Sequence, residues 1–351
     1  MANQLEEDLN HILDHTQRLW QELDGKRVFI TGGTGFFGCW LLESFTWAVD
    51  VLKLNASATV LTRNFGAFQK KAPHLANHPA ISFLIGDVRS FEFPKGEFAY
   101  IVHAATEASA QFNAEYPLEM FDTIVEGTRH TLDFAQICSA EKFLLISSGA
   151  VYGKQPIEMT HIPESYLGAP ETKTPLSAYS EGKRASELLC SIYAEAFGFE
   201  TKIARCFAFV GPYLPLNRSF AIGNFIRDFL NAGPIYISGD GTPLRSYLYA
   251  SDLVVWLWTI LEKGLNNQPY NVGSENSISI FDIASILSQF SDPNMEIIRS
   301  KISNSSVKPD RYVPSIKRAN EELNLKITVS LESALQKTLD WFQKTRTEIS
   351  D

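Results

Sequence analysis

Cysteine is scarce in this chain: 4 residues among 351, at positions 39, 138, 190 and 206, with no CxxC pair. That scatter argues against a zinc knuckle and against a disulfide scaffold, and it marks the thiols as reduced core residues. The 7 histidines show no HExxH spacing, and no metal is expected. No apolar run approaches the ~18 residues of a membrane span. The opening stretch, with Glu6, Glu7 and Asp8, lacks the pattern of a secretory leader. A basic excess is missing too. The 31 Lys and Arg against 40 Asp and Glu leave a net charge of −9, which speaks against a nucleic-acid partner. A cytoplasmic protein with no membrane partner is the expectation, and a local basic pocket for a phosphorylated small molecule stays compatible with it. The 45% hydrophobic content exceeds that of disordered or collagen-like chains, and the length suits one large or two interlocked domains.

Along the chain, Leu5, Leu9, Ile12, Leu13, Thr16, Leu19, Trp20 and Leu23 recur at three- and four-residue spacing. They predict one amphipathic helix over 3–23, packed on its own body or on a second subunit. From Lys26 the rhythm changes to short β-rich runs at 27–31, 58–62, 81–85, 98–103, 143–147 and 202–206. Between them lie helical stretches such as 38–53, 118–138 and 180–197. Near-uninterrupted apolar strands alternating with helices predict an α/β chain of Rossmann type, a doubly wound parallel sheet covered on both faces. After residue 207, prolines and glycines from Pro212 to Pro243 break the alternation, and 268–272 returns to the sheet. The remainder is expected to form a smaller mixed α/β lobe over the sheet's carboxyl edge.

Directly after the first strand comes Thr31-Gly32-Gly33-Thr34-Gly35-Phe36-Phe37-Gly38, entering a helix. Glycine at 32, 35 and 38 permits a tight turn, lets backbone approach a pyrophosphate, and allows close helix–strand packing; the helix N-terminus adds amides and a positive dipole end. Gly32, Gly35, Phe36, Phe37 and Gly38 are therefore candidate cofactor-binding residues. An NAD enzyme usually carries an acid at the end of the second strand, for the ribose 2′-hydroxyl. This chain lacks one: it reads Leu61-Thr62-Arg63-Asn64. Arg63 suits a 2′-phosphate through charge-assisted contacts, which favours NADP while leaving NAD open; stacking of Arg63 on adenine is the alternative.

The fifth strand ends in Ser147-Ser148-Gly149-Ala150-Val151-Tyr152-Gly153, and Tyr179-Ser180-Glu181-Gly182-Lys183 follows. On a helix, Tyr179 and Lys183 share a face. A phenol acting as a base near neutrality needs a pKa shift of about 3 units, or ~4 kcal/mol. A nearby ammonium works in that direction. A serine hydroxyl can hold a sugar hydroxyl and stabilise a developing oxyanion.

With these motifs in view, residues 26–345 resemble the extended short-chain dehydrogenase/reductase family, in its nucleotide-sugar epimerase/dehydratase branch. The resemblance rests on TGGTGFFG (31–38), GDVR (86–89), HAA (103–105), SSGAVYG (147–153), YSEGK (179–183), RCFAFVGP (205–212) and GDGTPLRSYLYASD (239–252). It implies adenine contacts from Asp87 and Val88, and a nicotinamide side lined by Ala104 and Ala105. It implies a proton relay of Ser148, Tyr179 and Lys183, with Lys183 also on the cofactor and Ser148 and Tyr179 on the substrate. Arg245 would hold the diphosphate of a nucleotide-diphosphate sugar; a surface ion pair is the other reading. Asp252 is expected to cap the helix that follows it. The implied organisation is an N-terminal helix (1–24), a dinucleotide-binding unit (25–207 plus about 246–274) and a nucleotide-sugar lobe (about 208–245 plus 275–351). A homodimer through a four-helix interface of 118–138 and 180–197 is also implied, with Phe121, Ile124, Val125, Leu188, Leu189 and Ile192 on its apolar face.

The departures bear on the reaction. Dehydratases and glucuronate decarboxylases of the branch look like Thr-Asp-Glu or Thr-Ser-Glu at 148–150, where this chain has Ser148, Gly149 and Ala150. Alanine exchanges no proton, so hydride transfer at C4, as in 4-epimerases and 4-keto-sugar reductases, is the leading expectation. Dehydratase or decarboxylase chemistry with a displaced acid/base is the alternative, and YSEGKR at 179–184 looks decarboxylase-like. A non-catalytic nucleotide sensor is a third reading. Ile124 and Ala208 stand where the family often has Asn.

Overall fold

The computed structural model describes residues 3–106, 109–216, 220–301 and 308–350, with side chains up to 345. Six strands, β1 (Arg27–Thr31), β2 (Ser57–Thr62), β3 (Ile81–Ile85), β4 (Tyr100–His103), β5 (Lys142–Ser148) and β6 (Glu200–Cys206), form the core of one parallel sheet. Helices α1 (Glu6–His15) and α2 (Gln17–Leu23) precede it. Within it run α3 (Phe36–Leu52), α4 (Phe65–Lys71), α5 (Pro73–Ala76), α6 (Ala110–Glu115), α7 (Pro117–Ile137) and α8 (Ala178–Phe197). The sequence expectation for strand positions holds within two residues at each end.

Beyond β6 the strands shorten to two or three residues: β7 (Phe209–Val210), β8 (Ile235–Ile237), β9 (Leu244–Arg245) and β10 (Leu248–Tyr249). After α9 (Ala221–Leu230) and α10 (Ala250–Lys263), β11 (Pro269–Val272) rejoins the large sheet. The chain ends with β12 (Ile278–Ser279), α11 (Ile280–Ser288), β13 (Ile297–Arg299), β14 (Arg311–Tyr312), α12 (Lys317–Leu323) and α13 (Leu331–Ser350). The large sheet has the order β11-β6-β5-β4-β1-β2-β3. Chain progress reverses between β1 and β4, so the carboxyl ends of those strands open onto a crevice, the place where doubly wound sheets take ligands.

The buried core explains this order. Val28, Phe29 and Ile30 of β1 and Ile101 and Val102 of β4 are fully buried, as strands covered on both faces must be. Phe29 sits among Phe91, Phe98 and Phe134 under one face. Trp256 and Trp258 of α10 are buried on the other, with Trp20 edge-on to Trp258. The four thiols are all buried and free.

Three expectations are corrected. The N-terminal segment is two helices, broken at Thr16, whose hydroxyl takes the indole N–H of Trp20 at 2.8 Å and turns back to the Ile12 carbonyl. The pair packs on its own body: Leu5, Leu9, Ile12, Leu19, Trp20 and Leu23 are buried, and Asp8 accepts from the Tyr249 hydroxyl at 2.7 Å. Asp252 does not cap α10. Its carboxylate accepts from the Thr328 and Val329 amides at 2.9 and 3.2 Å, tying down the segment before α13. Ile124 and Leu189 are buried within the chain, Ile124 against Gly182 where α7 and α8 cross, so neither offers area to a second subunit. Leu188 and Ile192 are exposed.

Candidate functional site

A cleft of about 1750 Å³ runs along the carboxyl ends of the large sheet and on between α9, β9 and β14. It exceeds the roughly 300–1,000 Å³ of a pocket for one small ligand, leaving room for two laid end to end. Gly32, Gly35, Phe36, Phe37, Arg63, Asp87, Val88, Ala104, Ala105, Ser148, Tyr179, Lys183 and Arg245 all line it. Gly38 does not; it lies under the turn.

The first half of the cleft is backbone-lined because two glycines leave no room for side chains. Gly32 has φ +70°, and a Cβ there would stand 2.5 Å from the Ala104 carbonyl carbon. A Cβ at Gly38 would reach within 2.3 Å of Gly33, so α3 starts directly on the turn. Gly35 is the N-cap of α3 and supplies no capping side chain, which leaves the first helical amides open to an anion. This cradle fits a dinucleotide pyrophosphate. Ala104 and Ala105 are held against β1 through their amides, on the Thr31 carbonyl (3.2 Å) and hydroxyl (3.1 Å). Behind them His103 bridges Thr31 (2.9 Å) and Thr128 (3.2 Å); burial pushes its pKa down to about 3, so the ring is a neutral strut.

At the adenosine end Arg63 is exposed on the rim and acts electrostatically on Asp87. The Asp87 carboxylate is already engaged, accepting from Arg89 Nε (2.9 Å) and the Arg89 terminal nitrogen (3.0 Å). That guanidinium holds Asp87 below the usual carboxylate range. The group the resemblance offers to adenine thus already has a partner in the chain.

At the middle of the cleft, β5 delivers Ser148 and the first turns of α8 deliver Tyr179 and Lys183, as the i, i+4 spacing predicts. Ser148 Oγ accepts from the Ala150 amide at 3.1 Å. Burial raises the Tyr179 phenol above its ordinary value, and hydrogen bonding with Ser148 acts in the opposite direction. The hydrogen bonds of the lysine go to other groups. Its Nζ donates to Thr106 Oγ1 (2.7 Å) and the Ile146 carbonyl (2.8 Å) and lies 6.0 Å from the centre of the Tyr179 ring; burial brings its pKa down to about 8. Burial, Ser148 and Cys206, rather than the ammonium, are what act on the Tyr179 phenol in this arrangement.

The facing wall holds a residue that motif reading missed. Tyr312 on β14 turns its phenol to Ser148, feels Tyr179, and packs its ring 4.7 Å from that of Phe207. A Cβ at Gly149 would stand 2.6 Å from Phe207 Cζ and 2.7 Å from Tyr312 Oη, so Gly149 makes room for both rings. β14 pairs with β9 in parallel, setting Tyr312 beside Arg245. Arg245 lines the cleft and pairs there with Asp310 at 3.4 Å. Only a long-range pairing places Tyr312 here, and no local spacing signals it.

Residues 28–273 match the model of the NAD dependent epimerase/dehydratase family. The chain belongs to that family. A UDP-glucuronic acid decarboxylase 1 of Xenopus tropicalis is 31% identical over 324 residues, covering 92% of this chain and 73% of the relative. A protein of the same name from Arabidopsis thaliana is 30% identical over 317 residues, covering 90% and 70%. Among solved structures, the UDP-glucose 4-epimerase of Thermotoga maritima superposes with a TM-score of 0.76 at 20% identity, over 91% of this chain and 99% of that one. A dTDP-glucose 4,6-dehydratase from Streptomyces venezuelae gives 0.76 at 23%, over 92% and 98%. These likenesses establish the fold. The relatives named carry out three different reactions, so the family alone leaves the reaction open. No helix among the described residues is long and apolar enough to cross a membrane.

Proposed function

We propose that this chain is an enzyme acting on a nucleotide-diphosphate hexose by hydride transfer at C4, as a 4-epimerase or a 4-keto-sugar reductase. The observation that carries the reading is the surroundings of Tyr179: among the described residues burial, Ser148 and the Cys206 thiol act on it, and no described carboxylate does. Of the acids that line the cleft, Asp87 is held by Arg89, Asp228 by Arg227 and the Tyr236 amide, and Asp310 by Arg245; Glu119 is exposed on α7. At 149 stands a glycine backed by Phe207 and Tyr312 and at 150 an alanine, so neither position supplies the carboxylic acid that elimination would use there.

When bound, NAD(P) supplies the hydride acceptor or donor. Ser148 holds the C4 oxygen, and Tyr179 Oη takes its proton on oxidation and returns it on reduction. Lys183, free to exchange Thr106 for a ribose hydroxyl, orients the cofactor's sugar, and Arg245 holds the diphosphate through its planar fork. Arg63 and the missing acid after β2 support NADP over NAD, which favours the reductase. Residues 208–245 and 275–351 would then hold the nucleotide sugar and the rest of the sheet the cofactor. Exposed Leu188 and Ile192 with half-buried Phe121 and Val125 support a dimer through α7 and α8; a monomeric mass at micromolar concentration would contradict it.

A second reading, decarboxylation, is favoured by the 31% identical relative. The two share C4 oxidation and then diverge. Incubation of UDP-glucuronic acid or UDP-glucose with NAD(P)+, and of a dTDP-4-keto-6-deoxyhexose with NADPH or NADH, with products read by NMR, separates them. Inversion or reduction at C4 with all carbons retained supports the proposal. Loss of the C6 carbon as carbon dioxide establishes the decarboxylase instead, and no turnover with any of the three removes the enzyme reading for these sugars.

A further inference from the structure

Tyr179 is the second residue of α8, so its N–H is among the helix-terminal amides that have no partner within the helix. The N-cap residue does not serve it. Ser177 makes no side-chain capping bond, and its hydroxyl donates instead to the Glu171 carbonyl at 2.6 Å. The partner comes from another element. Asn113, buried on α6 and lining the cleft, accepts from the Tyr179 N–H through Oδ1 at 3.1 Å and donates through Nδ2 to the Leu176 carbonyl at 2.8 Å. The two partners settle which end of the carboxamide is which, since one is an obligate donor and the other an obligate acceptor. One rigid side chain thus holds both the turn entering α8 and the amide of the residue that carries the phenol.

The same connection between β4 and α7 contacts α8 a second time, where Thr106 accepts from Lys183. The two contacts differ in kind. Thr106 and Lys183 both face the cleft, where a ribose hydroxyl can replace one for the other. The Asn113 bonds run to main chain and persist whatever the cleft holds.

We propose that Asn113 is the positioning residue of the site: its carboxamide caps α8 from outside the helix and sets where the Tyr179 phenol stands relative to Ser148. This rests on the reading of Tyr179 as proton carrier. Small displacements of a reacting group are costly, about 10²-fold for 1 Å, so the effect belongs in the chemical step.

The test compares Asn113→Ala, Asn113→Asp and Ser177→Ala, using whichever of the three sugar nucleotides above the wild type converts. Asn113→Ala should lose about 10- to 100-fold in kcat, with KM and cofactor affinity unchanged. Ser177→Ala, which loosens the same turn without touching Tyr179, should keep kcat. Asn113→Asp keeps the acceptor for the Tyr179 N–H and should recover most of kcat. Its added negative charge disfavours the phenolate, so the acidic limb of the pH–rate profile should move up by about one unit. In hydrogen exchange, the Tyr179 amide should lose protection in Asn113→Ala and keep it in Asn113→Asp.

Equal kcat losses in Asn113→Ala and Ser177→Ala would reduce Asn113 to general support of the turn and overturn the proposal. So would an unprotected Tyr179 amide in the wild type, a readout that needs no substrate. Tyr179→Phe separates the two levels: if that variant still turns over, the proton-carrier reading fails; if it is inactive while Asn113→Ala keeps full kcat, only the positioning role fails.

Discussion

The two walls of the cleft are built by opposite means. The wall carrying Ser148, Tyr179 and Lys183 belongs to a seven-residue strand and a 20-residue helix, where period arithmetic sets which side chains face the ligand. The wall carrying Arg245 and Tyr312 consists of two-residue strands, β9 and β14, paired across 67 positions of sequence in register Tyr312↔Arg245. It is fastened a second time where the Val313 amide donates to Gln155 Oε1 at 3.0 Å and its carbonyl accepts from the Ile162 amide at 2.9 Å. The difference teaches a division of labour. On the proposed function, proton chemistry would sit on rigid, regular elements, while recognition of the sugar and diphosphate would be left to short segments that can vary without disturbing the sheet.

The largest expected effect lies on the regular wall. Tyr179→Phe keeps the ring but removes the proton, and turnover should fall by about 10²–10⁴-fold with cofactor binding intact. Near-wild-type rates would break the comparison at its root.

Next comes the rim. If Arg63 binds a 2′-phosphate, NADP(H) should bind about 10- to 100-fold more tightly than NAD(H), the worth of a charge-assisted contact. Arg63→Ala should erase that preference and leave NAD affinity nearly unchanged. Equal or tighter binding of NAD by the wild type would shift the reaction towards an epimerase that recycles its own hydride.

A third, smaller effect follows from pH. Lys183 is depressed to about 8 by burial, so it is charged at pH 7 and largely neutral at pH 9. Cofactor affinity should weaken across that interval, because the neutral amine is the poorer donor to a ribose hydroxyl. Lys183→Ala should bind weakly at both pH values. The sign for stability is the reverse: below pH 8 the charged form carries the full cost of burial, and that cost is relieved as the folded protein gives up the proton between about 8 and 10.5. A titration flat in the wild type would remove Lys183 from the cofactor.

The smallest effect probes where the walls meet. Gly149→Ala puts a methyl within 2.7 Å of the Tyr312 hydroxyl and 2.6 Å of Phe207. Overpacking of this kind costs ~1–3 kcal/mol. Denaturation should show a lower midpoint at unchanged m, with a raised KM as Tyr312 is displaced. A tolerated alanine would mean that the facing wall simply yields.

Much of the regular wall was legible in sequence, and for a physical reason. The positions of the large-sheet strands, the glycine turn at 31–38 and the shared face of Tyr179 and Lys183 depend on neighbours a few residues away. The N-terminal break at Thr16 was not legible, because a threonine at helical spacing reads as helix until Trp20 is found donating to its hydroxyl. Asp252 misled for a similar reason: its place at the start of α10 suggested a cap, while the amides it accepts from lie more than 70 residues on.

What the sequence determined by itself was the chemistry available and its order along the sheet: a phosphate turn, a serine at a strand end, a phenol and an amine one helical turn apart. Only the tertiary structure decided what those groups meet. It gave Lys183 to Thr106 and Ile146, brought Tyr312 to Ser148, and set Asn113 under Tyr179. Local geometry repeats with the period of the chain, and so can be read from spacing. These four contacts join side chains to partners on other elements or beyond the helical and strand repeat, and they exist only once the packed core has brought those partners together.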